Sequence, residues 1–92
     1  MLKQNKIKIL RQRLVAIHGS DLIFADGYDS SIIGATLGMG PPRVVYDIEE
    51  MVETCMKDSD ISEESAWEWL EYNTLSAYVG ENTPIYIERF WS

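Results

Sequence analysis

Ninety-two residues, 46% hydrophobic and 11% aromatic, are enough for one modest core and argue against disorder. The formal net charge of −7 sets the chain as a whole against nucleic acid. Its apolar runs, no longer than four or five residues, exclude a membrane span.

The charge is unevenly placed. Residues 1–18 carry five bases (Lys3, Lys6, Lys8, Arg11, Arg13) and no acid, whereas residues 47–72 carry ten acids and one base, Lys57. The single Cys55 forms no internal disulfide, in keeping with a reducing compartment. The basic start is not followed by an unbroken apolar run and a small-residue cleavage site. A cytoplasmic location is therefore the expectation.

In chain order, Ile7, Leu10, Leu14 and Ile17 recur at helical spacing with bases opposite. This predicts an amphipathic helix over residues 2–17, ending near Gly19, whose apolar face covers the core or a dimer contact. Lys6-Ile7-Lys8-Ile9 also alternates like a strand. His18 suits the end of that helix. Leu22-Ile23-Phe24-Ala25 is suited to a buried strand, and Asp26-Gly27 is a turn signal that suggests antiparallel pairing with a second strand over Ser31 to Leu37. Gly34 marks a bulge or a close backbone approach in that strand. Gly38 to Pro42 reads as a loop, Arg43 to Tyr46 as a third strand, and Asp47 as the cap of a helix over residues 48–57. Ile48, Met51, Val52, Cys55 and Met56 form its apolar stripe. Glu49, Glu50 and Glu53 face out, with Glu53 placed to pair weakly with Lys57.

A second helix is predicted over residues 62–78. Asp60 or Ser62 is its N-cap, and Glu63 stands three residues after Asp60 as a capping box requires. Ala66, Trp67, Leu70, Thr74, Ala77 and Tyr78 share one arc of about 120°, the expected buried face. Gly80 supplies a left-handed stop. Ile85, Tyr86, Ile87 and Phe90 signal a strand over residues 84–89, whose place in the sheet the sequence leaves open. The expected architecture is α+β: one domain over residues 1–92, a small sheet of three to four mainly antiparallel strands, and two to three helices packed on one face.

The chemistry available is narrow. One histidine and one cysteine make no zinc cluster. Asp58-Ser59-Asp60 opens like a calcium loop, but Glu63 stands where glycine is needed and Trp69 where the closing glutamate belongs. The glycines at 34, 38 and 40 precede prolines and a strand instead of a helix N-terminus, so a flexible turn accounts for them better than a phosphate loop, with a backbone-lined ligand loop as the alternative. Asp26 and Asp29 flank a turn, and turn chemistry accounts for both. No enzyme, cofactor or metal site is expected.

Several segments carry a resemblance. In order they are Ala25-Asp26-Gly27-Tyr28, Ile33-Gly34, Val45-Tyr46-Asp47, Ser62-Glu63-Glu64-Ser65-Ala66, Tyr72-Asn73, and Ala77-Tyr78-Val79-Gly80-Glu81 with Thr83-Pro84-Ile85. Across roughly residues 20–90 the chain resembles a family of small uncharacterised proteins encoded by tailed bacteriophages and prophages. The resemblance implies a phage origin and an intracellular role in infected bacteria, such as host takeover or anti-defence. It implies no catalytic residues.

From the residues themselves, the leading functional expectation is a non-catalytic binding protein. Glu64, Glu68 and Glu71 repeat at i, i+4, i+7 and form one acidic row, which Trp69 and Tyr72 adjoin. Glu49, Glu50 and Glu53 form a secondary patch. The expected partner is a host or phage protein with a basic surface, engaged in one version by mimicry of nucleic-acid charge. Direct nucleic-acid binding is not expected, and homo-oligomerisation is open. The alternative is a small-molecule or nucleotide-handling protein that uses the Asp26 turn and the Gly34–Pro42 loop, with Asp26, Gly38, Gly40 and Arg43 as ligand-binding residues.

Overall fold

The computed structural model describes residues 2–38 and 40–89, with side chains from Leu10 onward. The order is α1 (Leu2–His18), a 3₁₀ turn (Asp29–Ser31), β1 (Ile32–Ala35), β2 (Val44–Asp47), α2 (Ile48–Ser59), α3 (Glu63–Leu70), a π turn (Glu71–Leu75) and β3 (Ile85–Ile87). This is a small α+β fold, as the sequence predicts.

The sheet has three strands in the order β1-β2-β3. β1 runs antiparallel to β2, and the register shifts between Ile32 and Gly34, the irregularity expected at that glycine. β3 runs parallel to β2, pairing Tyr46 with Tyr86. The sheet is therefore mixed. A parallel partner needs a long crossover, and α2 and α3 form it.

Leu22–Ala25 is not a strand. The Ala25 amide donates to the Tyr46 hydroxyl at 2.7 Å, so a side chain satisfies a group that a sheet neighbour would have taken. Consequently the turn at Asp26-Gly27 joins no strand pair. It leads into the 3₁₀ turn instead, and β1 meets β2 through the 36–43 loop.

β2 lies at the centre because its residues suit burial. Val44 and Tyr46, two apart and so on one face, are both fully buried. They share one core with Leu14 of α1, with Ile48, Met51, Val52 and Cys55 of α2, and with Ala66 and Leu70 of α3. Tyr86 stacks on Tyr46 with ring centroids 5.7 Å apart.

The α2 stripe holds as read. Asp47 caps the helix by accepting from the Glu49 and Glu50 amides at 3.0 and 3.4 Å. At the other end Asp60 is left-handed (φ 52°), its amide donates to Met56 O, and Ile61 N donates to the same carbonyl at 3.2 Å. Asp60 thus closes α2 in a Schellman-type stop and cannot start α3. Ser62 is the N-cap, accepting from Ser65 N at 3.1 Å, and the expected Asp60–Glu63 capping box does not form. The Glu53–Lys57 pair is likewise not among the ion pairs of the described residues, which are Arg11–Asp29 and Arg89–Asp47.

The helix expected to run to Tyr78 stops early. α3 ends at Leu70 and passes into the π turn. Side chains there take backbone carbonyls: Asn73 donates to Trp69 O at 3.0 Å, and Ser76 Oγ to Glu71 O at 2.9 Å. Such bonds compete with a regular ladder. The wider turn advances the phase, so Leu75 packs on the core while Ala77 is exposed and Tyr78 is 76% exposed. The buried arc therefore holds at Ala66 and Leu70, only half for Trp67 and Thr74, and fails at Ala77 and Tyr78. Gly80 (φ 117°) serves a later turn in place of the helix end. There the buried Thr83 hydroxyl accepts from Val79 N at 2.9 Å and donates to Gly80 O at 2.6 Å.

α1 meets the core through Leu14, with Leu10 half-buried beside it. Gly19 (φ 97°) stops it, donating to Val15 O at 2.8 Å. Ile17 was expected on the same face but is 67% exposed. The helix crosses the core near Leu14, and its last turn extends past the contact. The side chains of Ile7, Lys3, Lys6 and Lys8, and the tail Phe90-Trp91, lie outside the described residues.

Candidate functional site

α3 begins at the capping Ser62 and buries Ala66 and Leu70, one turn apart, so its outer face follows directly. With Ala66 and Leu70 turned to the core, Glu64, Glu68 and Glu71 are all exposed. Trp69 is 55% and Tyr72 84% exposed. Neither aromatic packs beneath another described element. Trp69, Tyr72, Ser65, Glu68 and Asn73 line a shallow surface groove. Of the acidic row, only Glu68 enters it. Glu64 and Glu71 stand further round the helix, about 60° from Glu68 at most.

Packing of α2 against α3 creates a second feature. Glu49 and Glu53, one turn apart on α2, face Glu63 across a groove whose floor is Val52, Met56 and Trp67. Glu50 is exposed but is not part of this groove. Glu63 and Trp67 escaped the sequence reading. Glu63 looked like a first-turn acid and Trp67 like core, and their i, i+4 spacing gains meaning only once α2 lies alongside. No described ion pair involves any carboxylate of the row or of this groove.

The residues of the alternative site separate. Asp26 lines a cleft of about 230 Å³ between the 23–28 segment, the π turn and the 77–86 segment. Gly38, Gly40 and Arg43 do not line it. Gly38 and Gly40 are exposed in the β1–β2 loop, and the Arg43 guanidinium is taken up by Thr83 O. That loop is further tied down by Asn82, which donates to Pro42 O at 2.8 Å. The expected pairing of Asp26 with the glycine loop is therefore not formed.

The cleft brings together residues the sequence keeps apart: Ala25, Asp26 and Tyr28, then Asn73, then Ala77, Val79, Thr83 and Pro84. These come from the Ala25–Tyr28, Tyr72-Asn73 and Ala77–Ile85 segments singled out above. Asn73 lines both this cleft and the Trp69–Tyr72 groove, so the two adjoin at that residue.

Burial tunes Tyr28 and Tyr86, which line the cleft, and Tyr46, which does not. Desolvation, then a hydrogen bond with Cys55, pushes Tyr28 up to about 12. Burial raises Tyr46 to about 12 against the lowering effect of the Ala25 amide. Tyr86 is also raised by burial. All three are neutral hydroxyls at ordinary pH.

Among the described residues no cluster of three histidine, cysteine or acidic side chains is placed to hold a metal ion. No described helix is long and apolar enough to cross a membrane. No protein-family model matches the chain, nor does any curated protein or solved structure.

Proposed function

We propose that the protein is a non-catalytic acidic binding protein that meets a basic surface on another protein through the outer faces of α3 and α2. The observation that carries this reading is the exposed row Glu64, Glu68 and Glu71 beside the exposed Trp69 and Tyr72. Like charges at these spacings destabilise a helix by a few tenths of a kcal/mol each. A solvated face ordinarily avoids that cost by mixing signs. Carboxylates supply long-range attraction, and the aromatics supply the apolar anchor that charge alone lacks. Glu49, Glu53 and Glu63 extend the acidic surface onto α2. The resemblance to phage proteins supports a partner in an infected bacterium, where such a surface would occupy a basic, nucleic-acid-binding or regulatory site.

The experiment is capture of the partner from host or infected lysate, followed by affinity measurement across salt concentration. Affinity should fall steeply with salt, because exposed charges are screened within about 8 Å at physiological ionic strength. Reversal of Glu64, Glu68 and Glu71 to Lys in a chain that still folds should abolish binding. Full affinity in that variant would reduce the row to a solubility feature.

A further inference from the structure

The cleft that begins at Asn73 is the place where the acidic face acquires a specific chemistry. At about 230 Å³ it falls below the roughly 300–1,000 Å³ usual for drug-sized ligands. It suits a fragment, and a nucleotide with its phosphates is too large. Its lining holds one acidic side chain, the exposed Asp26, and no basic one. A phosphate would be repelled there, and a single cation is the complement.

The rest of the lining narrows that cation. Tyr86 offers aromatic surface, and Val79 and Pro84 offer aliphatic surface; Phe24 also lines the cleft, with one face of its ring already covered by the Arg11 guanidinium. Asn73 donates one of its two side-chain N–H groups to Trp69 O at 3.0 Å, and its side-chain oxygen remains an acceptor. The site therefore presents a carboxylate and an amide oxygen as acceptors, with flat apolar walls. A planar, donor-only, always-charged group fits this set. A guanidinium pairs with a carboxylate through two parallel hydrogen bonds and lies against aromatic faces. An ammonium does neither as well.

We propose that this cleft receives an arginine side chain of the basic partner, with Asp26 as its counter-ion. The proposal rests on the binding reading above. It is favoured by adjacency: the cleft shares Asn73 with the Trp69–Tyr72 groove, so a partner held along α3 is within reach of it. The π turn makes the arrangement possible. By ending the helix at Leu75 it leaves Asn73, Thr74 and Ala77 as one wall of the cleft instead of continuing a buried stripe. π turns recur at functional sites for this kind of reason.

The test uses the full chain, labelled with ¹⁵N, and three capped single residues as probes: N-acetyl-arginine methylamide and its lysine and citrulline counterparts. The arginine probe should shift the amides of residues 25–28 and 73–77, and the neutral citrulline probe should not. Asp26→Asn should weaken the arginine probe at least about tenfold, the scale of a lost charge-assisted pair, while the remaining spectrum stays native. Ala77→Leu narrows the cleft without altering its charge and should weaken the probe as well. Equal shifts from citrulline, or no shifts at 25–28 and 73–77, would overturn the proposal. Preference for lysine would also overturn it. Each of these outcomes is separate from the acidic-face reading, which stands or falls on the salt dependence and the triple lysine variant.

Discussion

The Asp47 carboxylate meets Arg89 Nε at 3.0 Å, and the same carboxylate caps α2. One side chain thus joins the end of β2, the first turn of α2 and the residue two past β3. Its own side chain is 5% exposed, against 43% for Arg89. The pair closes the parallel crossover at its open end, where a three-residue strand alone would hold weakly.

The two partners should differ on substitution. Asp47→Ala removes both the cap and the pair and should cost about 2 kcal/mol or more. Arg89→Gln leaves the cap in place and should cost about 1 kcal/mol. Urea denaturation of both variants checks the order, and a greater loss at Arg89 would contradict it.

The helical phase of α3 makes a paired prediction. Leu70 is fully buried and Tyr78 is 76% exposed. Leu70→Asp should cost roughly 3 kcal/mol or more, because it buries an unpaired charge. Tyr78→Asp should lie within about 0.5 kcal/mol of the parent, as for surface positions in general. Thermal melts of the two proteins distinguish this phase from an unbroken helix, which would make both changes severe.

At α1 the anchors are Leu14 in the core and Arg11, which pairs with Asp29 at 3.0 Å and lies 4.3 Å over the Phe24 ring. Leu14→Ala should cost about 2–3 kcal/mol. Arg11→Ala should cost about 1 kcal/mol, since the ion pair is partly exposed and the ring contact adds a modest amount. Deleting residues 1–12 removes Leu10 and Arg11 together and should lower the melting point. An unchanged melting point would mean that residues 1–12 do not contribute to the fold.

Tyr46 should make stability fall at high pH. Its folded value of about 12 lies above the ordinary 10, so the unfolded chain loses this proton first. Its contribution is complete below pH 10 and declines as the pH rises from 10 towards 12, by about 2–3 kcal/mol in all. Tyr46→Phe removes this slope, and it also removes the acceptor for the Ala25 amide, so the variant should be less stable at neutral pH yet flatter above pH 10. Denaturation at a series of alkaline pH values measures both effects.

Ser31 is 1% exposed, and its hydroxyl has no hydrogen-bond partner among the described residues. Ser31→Ala should therefore be neutral or stabilising by up to about 1 kcal/mol, because an unsatisfied buried group is removed. Calorimetry of this variant should give a melting point at or above that of the parent.

Local chemistry was enough to settle much of this protein from its sequence. The cap at Asp47, the apolar stripe of α2, the start of α3 near Ser62, the irregularity at Gly34 and the acidic row of α3 all depend on spacing within a few residues, which the chain itself dictates. What the tertiary structure decided are the features that depend on non-local partners. Leu22–Ala25 had the composition of a strand, but the Tyr46 hydroxyl took its amide. The residues from Thr74 to Tyr78 had the period of a helix, but side-chain bonds to carbonyls opened a π turn and changed the face. β3 became parallel to β2 because two helices intervene. The cleft at Asp26 is assembled from three segments spread between residues 23 and 86. No local period encodes such a site, because its walls meet only when the crossover brings β3 beside β2.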